Sequence, residues 1–172
     1  LLIENCKITC DGSSKHFLIC DEGATDVTIT HSILDHCSNF FEQDTYSSIC
    51  NVSVKNCKLL NPSENVLSLK SFESCEISHC YIGINNPNIS AISRLGSVFF
   101  YNDLFCKSST SIIVKEVLVE ANFDIPSDQR QFNLTLFKLS GAQYSNCTFK
   151  GAGKVIQSAS IISDCAFENC FN

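Results

Sequence analysis

Ile3-Glu4-Asn5-Cys6-Lys7-Ile8 introduces a pattern that recurs along the 172-residue chain: an apolar residue, any residue, Asn, His or Asp, often Cys, any residue, and a second apolar residue. Further copies begin at Ile29, Val54, Ile77, Phe100, Tyr144 and Ile162, and a degenerate copy begins at Val119. The spacings of 26, 25, 23, 23, 19, 25 and 18 residues average about 23 residues. A short unit at a nearly fixed period is the sequence signature of a repeat architecture.

Each copy contains alternating apolar and polar residues, and this period of two predicts strands rather than helices. A second strand is predicted at the last apolar position, and a third apolar patch, such as Leu67/Leu69, precedes most of the next copies. Three short strands per period describe one turn of a coil. A leucine-rich repeat would need Leu at fixed places, a β-sandwich would not repeat one motif, and a propeller blade needs about 40 residues. We therefore predict an all-β parallel solenoid of about eight coils, as a single domain spanning residues 1–172.

The Asn/His/Asp position is predicted to form a ladder along the solenoid. Asn and Asp tolerate left-handed backbone dihedrals and bond backbone groups with their side chains, so they suit a bend between two strands. We expect these side chains to be buried and to bond neighbouring coils, Asn56 and Asn102 in particular. The predicted ladder consists of Asn5, His31, Asn56, His79, Asn102, Asn146 and Asp164.

These features resemble the right-handed parallel β-helix superfamily, which includes pectate lyases, phage tailspikes and bacterial adhesin passengers. An Asn ladder occupies one bend in that superfamily. The Asn146-Cys147-Thr148-Phe149 and Phe167-Glu168-Asn169-Cys170 segments are also similar to polymorphic surface proteins of chlamydiae and some protists, although the Gly-Gly-Ala-Ile element of those proteins is missing. The resemblance implies the fold and leaves the function open.

Composition narrows the functional classes. The formal net charge is −6 and the chain has only two arginines, so it lacks the basic stripe of a nucleic-acid-binding protein. No apolar run approaches the roughly 20 residues of a membrane-spanning helix. We expect no signal peptide within the chain, and we interpret the chain as a mature protein or an excised piece.

Twelve cysteines suit an oxidising compartment, although buried free thiols would give the same count. Cys57 with Cys80, and Cys147 with Cys165, occupy equivalent positions on consecutive coils and are candidate disulfides, although parallel Cβ vectors make bridging awkward. The candidate glycosylation sites are Asn51, Asn88, Asn133 and Asn146, which begin Asn-x-Ser/Thr sequons. We therefore expect an extracellular or cell-surface protein.

Candidate catalytic and metal-binding residues are few. Enzymes of the resembled superfamily cluster acids on one sheet, but the two outward columns beside the first apolar position do not stack two acids on adjacent coils. The segment from Asp124 to Gln131 collects two acids and one arginine, and we interpret it as a solvated insertion. His31 and His79 fall two coils apart, about 10 Å, and fit the ladder better than a metal site. We predict no catalytic residue, no cofactor and no metal.

A partner surface is predicted where apolar residues replace polar ones at outward positions, namely Phe99, Leu104, Leu118 and Phe123. The alternative is that the chain's own segment 124–131 covers them. Leu1 and Ile3 already belong to the first coil, and the last coil is incomplete. We therefore expect an internal segment of a longer solenoid, abutted by further coils or another subunit.

Two functions remain open at this stage. The first is a non-enzymatic structural or adhesive protein that contacts other protein subunits. The second is a fragment of a carbohydrate-active enzyme, a polysaccharide lyase or glycoside hydrolase, whose catalytic coils lie elsewhere and whose partner is carbohydrate.

Overall fold

The computed structural model describes residues 1–10, 18–20, 25–37, 40–43, 49–61, 66–69, 72–85, 97–102, 111–121, 135–151, 154–157, 159 and 161–170. Within these ranges the chain forms 20 short strands and no helix. The strands belong to three sheets, and every strand pair is parallel. The predicted all-β class and the parallel pairing are therefore confirmed.

Sheet 1 has seven strands. They are β1 (Leu2–Glu4), β4 (Thr25–Thr30), β7 (Ile49–Lys55), β10 (Phe72–Ser78), β13 (Ser111–Lys115), β16 (Gln143–Ser145) and β19 (Ile161–Ser163). Each strand pairs with the strand three places along the chain, so equivalent residues of successive repeats lie side by side.

Sheet 2 also has seven strands, and sheet 3 has six. Sheet 2 contains β2 (Lys7–Thr9), β5 (Ile33–Asp35), β8 (Lys58–Leu60), β11 (Tyr81–Ile84), β14 (Leu118–Ala121), β17 (Thr148–Gly151) and β20 (Ala166–Glu168). Sheet 3 contains β3 (Leu18–Cys20), β6 (Phe41–Gln43), β9 (Leu67–Leu69), β12 (Ser97–Asn102), β15 (Thr135–Lys138) and β18 (Lys154–Gln157).

The core follows directly from the alternation in the sequence. In sheet 1 the first apolar residue of each repeat aligns with its equivalents, giving the column Ile3, Ile29, Val54, Ile77, Val114, Tyr144 and Ile162. In sheet 2 the last apolar residues form the column Ile8, Leu34, Leu59, Ile82, Val119, Phe149 and Phe167. The middle members of both columns are buried, which removes their apolar surface from water.

Two predicted repeat copies are wrong. The copy beginning at Phe100 lies in β12 of sheet 3, where Phe100 pairs with Leu67 rather than with a first apolar residue of sheet 1. The copy beginning at Val119 lies in sheet 2. The unit that occupies sheet 1 between them is Val114-Lys115-Glu116-Val117-Leu118-Val119. The described part of the chain therefore contributes seven units to sheets 1 and 2 rather than eight, and alternation alone did not distinguish which sheet a strand joins.

Candidate functional site

The bend between sheets 1 and 2 carries the residues of the predicted ladder, but with their side chains outside. The bend residue of each of the seven units has a left-handed backbone, with φ between 50° and 54°. We call this set the bend column: Asn5, His31, Asn56, His79, Glu116, Asn146 and Asp164. All seven are exposed. The expected burial of Asn56 is therefore wrong, because the left-handed turn directs this side chain outward and the following residue inward.

Asn102 does not belong to the bend column. It lies in β12, where it pairs with Leu69 of β9. Its expected place at the bend is taken by Glu116, whose φ is 53°. A glutamate is uncommon in this conformation, which Asn, Asp and Gly adopt more readily. The requirement for Asn, His or Asp at the bend therefore missed the unit that begins at Val114, although Val114, Val117 and Val119 have the expected apolar spacing.

The main chain continues its hydrogen bonding through the bend. The amide of Asn56 donates to the Ser78 carbonyl at 3.1 Å, and the amide of His79 donates to the Lys115 carbonyl at 3.2 Å. On the far side of the bend, the Tyr81 amide donates to the Cys57 carbonyl at 2.9 Å. Backbone bonding at the bend is thus supplied by neighbouring repeats, and does not require a buried amide side chain.

The residues that follow the bend column form an inner column: Cys6, Ser32, Cys57, Cys80, Val117, Cys147 and Cys165. Its central members are buried. The cysteine thiols in this column donate to the carbonyl two residues earlier, as Cys57 does to Lys55 at 3.2 Å and Cys147 does to Ser145 at 3.3 Å. The Ser32 hydroxyl makes the same bond to Thr30 at 2.8 Å. The recurring cysteine is therefore a small, buried residue with a local hydrogen bond.

The two candidate disulfides are absent from the structure. Cys57, Cys80, Cys147 and Cys165 are free thiols in the structure. They stack in register, so their Cβ atoms point in the same direction rather than toward each other. The hydrogen bond with Cys57, together with burial, raises the pKa of the Cys80 thiol. Burial raises the pKa of Cys147 to about 11. Cys80 and Cys147 therefore remain protonated near neutral pH, whereas the hydrogen bond with Cys80 lowers the pKa of Cys57 to about 7.

The outer face of sheet 1 carries an ion-pair group. Glu76 lies between two lysines of adjacent strands: one carboxylate oxygen is 2.7 Å from Lys55 Nζ and the other is 3.0 Å from Lys115 Nζ. These contacts, the one with Lys55 above all, lower the pKa of Glu76 to about 2. A carboxylate held in this way is a poor proton donor or acceptor near neutral pH.

The outer face of sheet 2 carries a second group. The Tyr81 hydroxyl donates to Glu120 Oε2 at 3.1 Å, and Lys150 Nζ lies 3.8 Å from Glu120 Oε1 and 3.9 Å from Glu168 Oε2. A Cβ built on Gly83 would lie 2.9 Å from the Tyr81 ring, so the missing side chain makes room for the tyrosine. Burial and the neighbouring Glu120 raise the pKa of Tyr81. In this group a lysine lies between the two carboxylates.

His31 and His79 each contact a neighbouring side chain and do not share a common site. His79 Nδ1 lies 2.7 Å from Glu116 Oε2, its neighbour in the bend column, and His31 Nδ1 lies 2.9 Å from Thr30 Oγ1. Among the described residues, no group of three or more His, Cys, Asp or Glu side chains is arranged to hold a metal ion. In the same part of the chain, no helix has the length and apolarity to span a membrane.

Two of the four sequon asparagines are exposed in the structure. The Asn51 side chain donates to Asp26 Oδ1 at 2.9 Å and accepts from Ser74 Oγ at 2.6 Å. Asn146 belongs to the bend column. Asn88 and Asn133 lie outside the described residues. The first two are therefore accessible positions, and Asn51 already links three strands of sheet 1.

The predicted partner face is divided between sheets. Phe99 lies in β12 of sheet 3, whereas Leu118 lies in β14 of sheet 2 and is half-buried. Leu104 and Phe123 lie outside the described residues, as does the segment 124–131 that was considered as their cover. Because two of the four residues lie outside the described part of the chain, the partner face stays a prediction.

With this geometry described, the chain was compared with known proteins. No protein-family model matches it, and no curated protein or solved structure does.

Exposed apolar side chains mark both outer edges of sheets 1 and 2. At one edge Leu1 and Leu2 are 44% and 63% exposed, and at the other Ile162 and Phe167 are 50% and 47% exposed. Phe167 stacks on Phe149, with ring centroids 5.1 Å apart, and leaves its other face uncovered.

Proposed function

We propose that the three sheets wind as a right-handed parallel β-helix. Each repeat places one strand in sheet 1 and one in sheet 2, and most repeats place a third in sheet 3. Parallel strands in one sheet are connected with a right-handed crossover in nearly all proteins. The in-register columns, such as Val27 beside Val52 and Cys75, support stacked coils with equivalent residues above one another.

We further propose that this β-helix is a non-enzymatic structural or adhesive element of an extracellular or cell-surface assembly. The observation that carries the proposal is the pair of open edges, where apolar residues of the core columns are uncovered. Unpaired strand edges are templates for pairing with another chain. Further coils or another subunit would cover Ile162 and Phe167 at one edge and Leu1 at the other.

The outer faces favour this function over a carbohydrate-active enzyme. Lyases and hydrolases need close carboxylates that share a proton or hold a cation. In sheet 1 Glu76 forms ion pairs with Lys55 and Lys115 of the adjacent strands, and in sheet 2 Lys150 lies between Glu120 and Glu168. The exposed sequon at Asn146 supports an extracellular location.

Self-association of residues 1–172 tests the proposal. We expect analytical ultracentrifugation to show concentration-dependent oligomers, and Ile162→Lys to reduce them because a charge at the open edge opposes stacking. Ile113→Lys is the matched control, since Ile113 is also exposed but lies in β13, within sheet 1. A wild-type chain that stays monomeric at all concentrations, or equal effects of both variants, would argue against assembly through the edges.

A further inference from the structure

Two cysteines outside the inner column approach each other closely. Cys10 follows β2 and Cys37 follows β5, the adjacent strand of sheet 2. Their Sγ atoms lie 3.0 Å apart. Both are free thiols, and a disulfide bond of about 2.05 Å would require them to approach by about 1 Å.

The relative position of these two residues differs from that of the stacked pairs. The Cys10 amide donates to the Asp35 carbonyl at 3.0 Å, and in this bonding pattern Cys10 lies opposite His36 rather than Cys37. His36 has a left-handed φ of 54° and is exposed, whereas Cys37 is buried. The two thiols thus meet diagonally across the bend. A diagonal approach lets the Cβ–Sγ bonds converge on the contact between the two sulfurs.

We propose that Cys10 and Cys37 form a disulfide by exchange with a small-molecule disulfide such as oxidised glutathione. The Cys10 thiolate attacks one glutathione sulfur, which breaks the glutathione S–S bond and releases one glutathione thiolate. The Cys37 thiolate then attacks the Cys10 sulfur of the mixed disulfide and releases the second glutathione thiolate. The protein loses two electrons, glutathione disulfide gains them, and the two cysteine protons end on the two glutathiones.

Burial determines the order of the two steps. Cys10 is half-buried and open to a soluble reagent, whereas Cys37 is 1% exposed. Burial, and to a smaller extent the neighbouring Cys10 thiol, raises the pKa of Cys37 to about 12. Attack therefore begins at Cys10, and modification of Cys10 removes its contribution to the raised pKa of Cys37. The cross-link joins β2 to β5 at an open edge of sheet 2, where it opposes fraying of the first repeat.

Peptide mapping of the whole 172-residue chain tests the proposal. The folded protein is incubated with oxidised glutathione, free thiols are alkylated under denaturing conditions, and the digest is analysed by mass spectrometry. Trypsin alone leaves Cys20, Cys37 and Cys50 in one peptide, and chymotrypsin alone leaves Cys6 with Cys10, so the two proteases are used together. Cys10→Ser and Cys37→Ser are compared with Cys147→Ser, which removes a buried thiol of the inner column.

We expect a Cys10–Cys37 linked peptide as the main product in the wild type and in Cys147→Ser. Cys37→Ser should instead accumulate glutathione on Cys10, and Cys10→Ser should react at least tenfold more slowly at Cys37. A wild-type map with glutathione on Cys10 but no linked peptide would overturn the proposal, and so would a main cross-link between other cysteines. The wild-type map decides the question even if a variant fails to fold.

Discussion

Gly151 lies beside Ala121 in sheet 2 so closely that a Cβ built on Gly151 would overlap the Ala121 carbonyl oxygen and lie 2.8 Å from the Ala121 Cβ. Gly151 also has a φ of 114°, which residues with a side chain rarely adopt. The close packing of β14 on β17 therefore depends on the absence of a side chain at this position.

Replacing Gly151 with alanine should lower the free energy of unfolding by more than about 2 kcal/mol, because overlap adds to backbone strain. Gly141→Ala is the matched control. Gly141 also has a positive φ, 78°, but a Cβ there meets nothing within 4 Å. Gly141→Ala should lower the free energy of unfolding by only about 1 kcal/mol. Urea denaturation measures both, and equal losses would mean that the contact with Ala121 is unimportant.

The bend column makes a second prediction. Asn56 has a φ of 54° and an exposed side chain, so its main contribution is tolerance of the left-handed backbone. Asn56→Val should therefore destabilise the chain by about 1–2 kcal/mol, whereas Asn56→Gly should be nearly neutral. Lys58→Val, at an exposed position in the neighbouring strand, controls for the loss of a polar side chain. If Asn56→Gly were as damaging as Asn56→Val, the Asn56 side chain itself would be required.

The period of two in the sequence predicted the strands and the buried columns correctly wherever a repeat kept its bend residue. It failed between Ile84 and Tyr144, because Phe100-Tyr101-Asn102 imitates a repeat while Val114-Lys115-Glu116 departs from it. The sheet that a strand joins depends on which strands of the neighbouring repeats it pairs with, and the alternation of apolar and polar residues does not contain that information. The predicted burial of Asn56 was wrong for a related reason, because the direction of a side chain at a bend depends on the backbone angle φ. The diagonal approach of Cys10 to Cys37 likewise depends on a backbone offset that sequence spacing does not reveal.

Glu76 makes the stability of the chain depend on pH. Its folded pKa of about 2 lies below the ordinary value of 4.5, so its ion pairs stabilise the fold above about pH 4.5. This contribution is lost as the pH falls from about 4.5 to about 2. Both lysines are about two-fifths exposed, at 40% and 41%, and solvent screening reduces the expected contribution to about 1 kcal/mol.

Comparison of the wild type with Glu76→Gln tests this contribution. The difference in urea midpoint should favour the wild type at pH 6, shrink toward pH 2, and decrease in 1 M salt because screening weakens ion pairs. A difference that stays constant across this pH range would mean that Glu76 acts through packing rather than charge.

The most direct test of whether the three sheets wind into one coil is to measure distances between sheets 1 and 3. Double electron–electron resonance gives these distances between pairs of spin labels. Spin labels are introduced as unnatural amino acids, which leaves the native cysteines in place. Three pairs occupy equivalent positions in successive repeats, and they are Asn51/Ser68, Ser74/Tyr101 and Ser111/Lys138. A β-helix keeps its cross-section from coil to coil, so the account predicts the same distance for all three pairs, within about one strand spacing of 4.8 Å. Distances that increase steadily from the first pair to the third would show that the sheets diverge, and would contradict the β-helix.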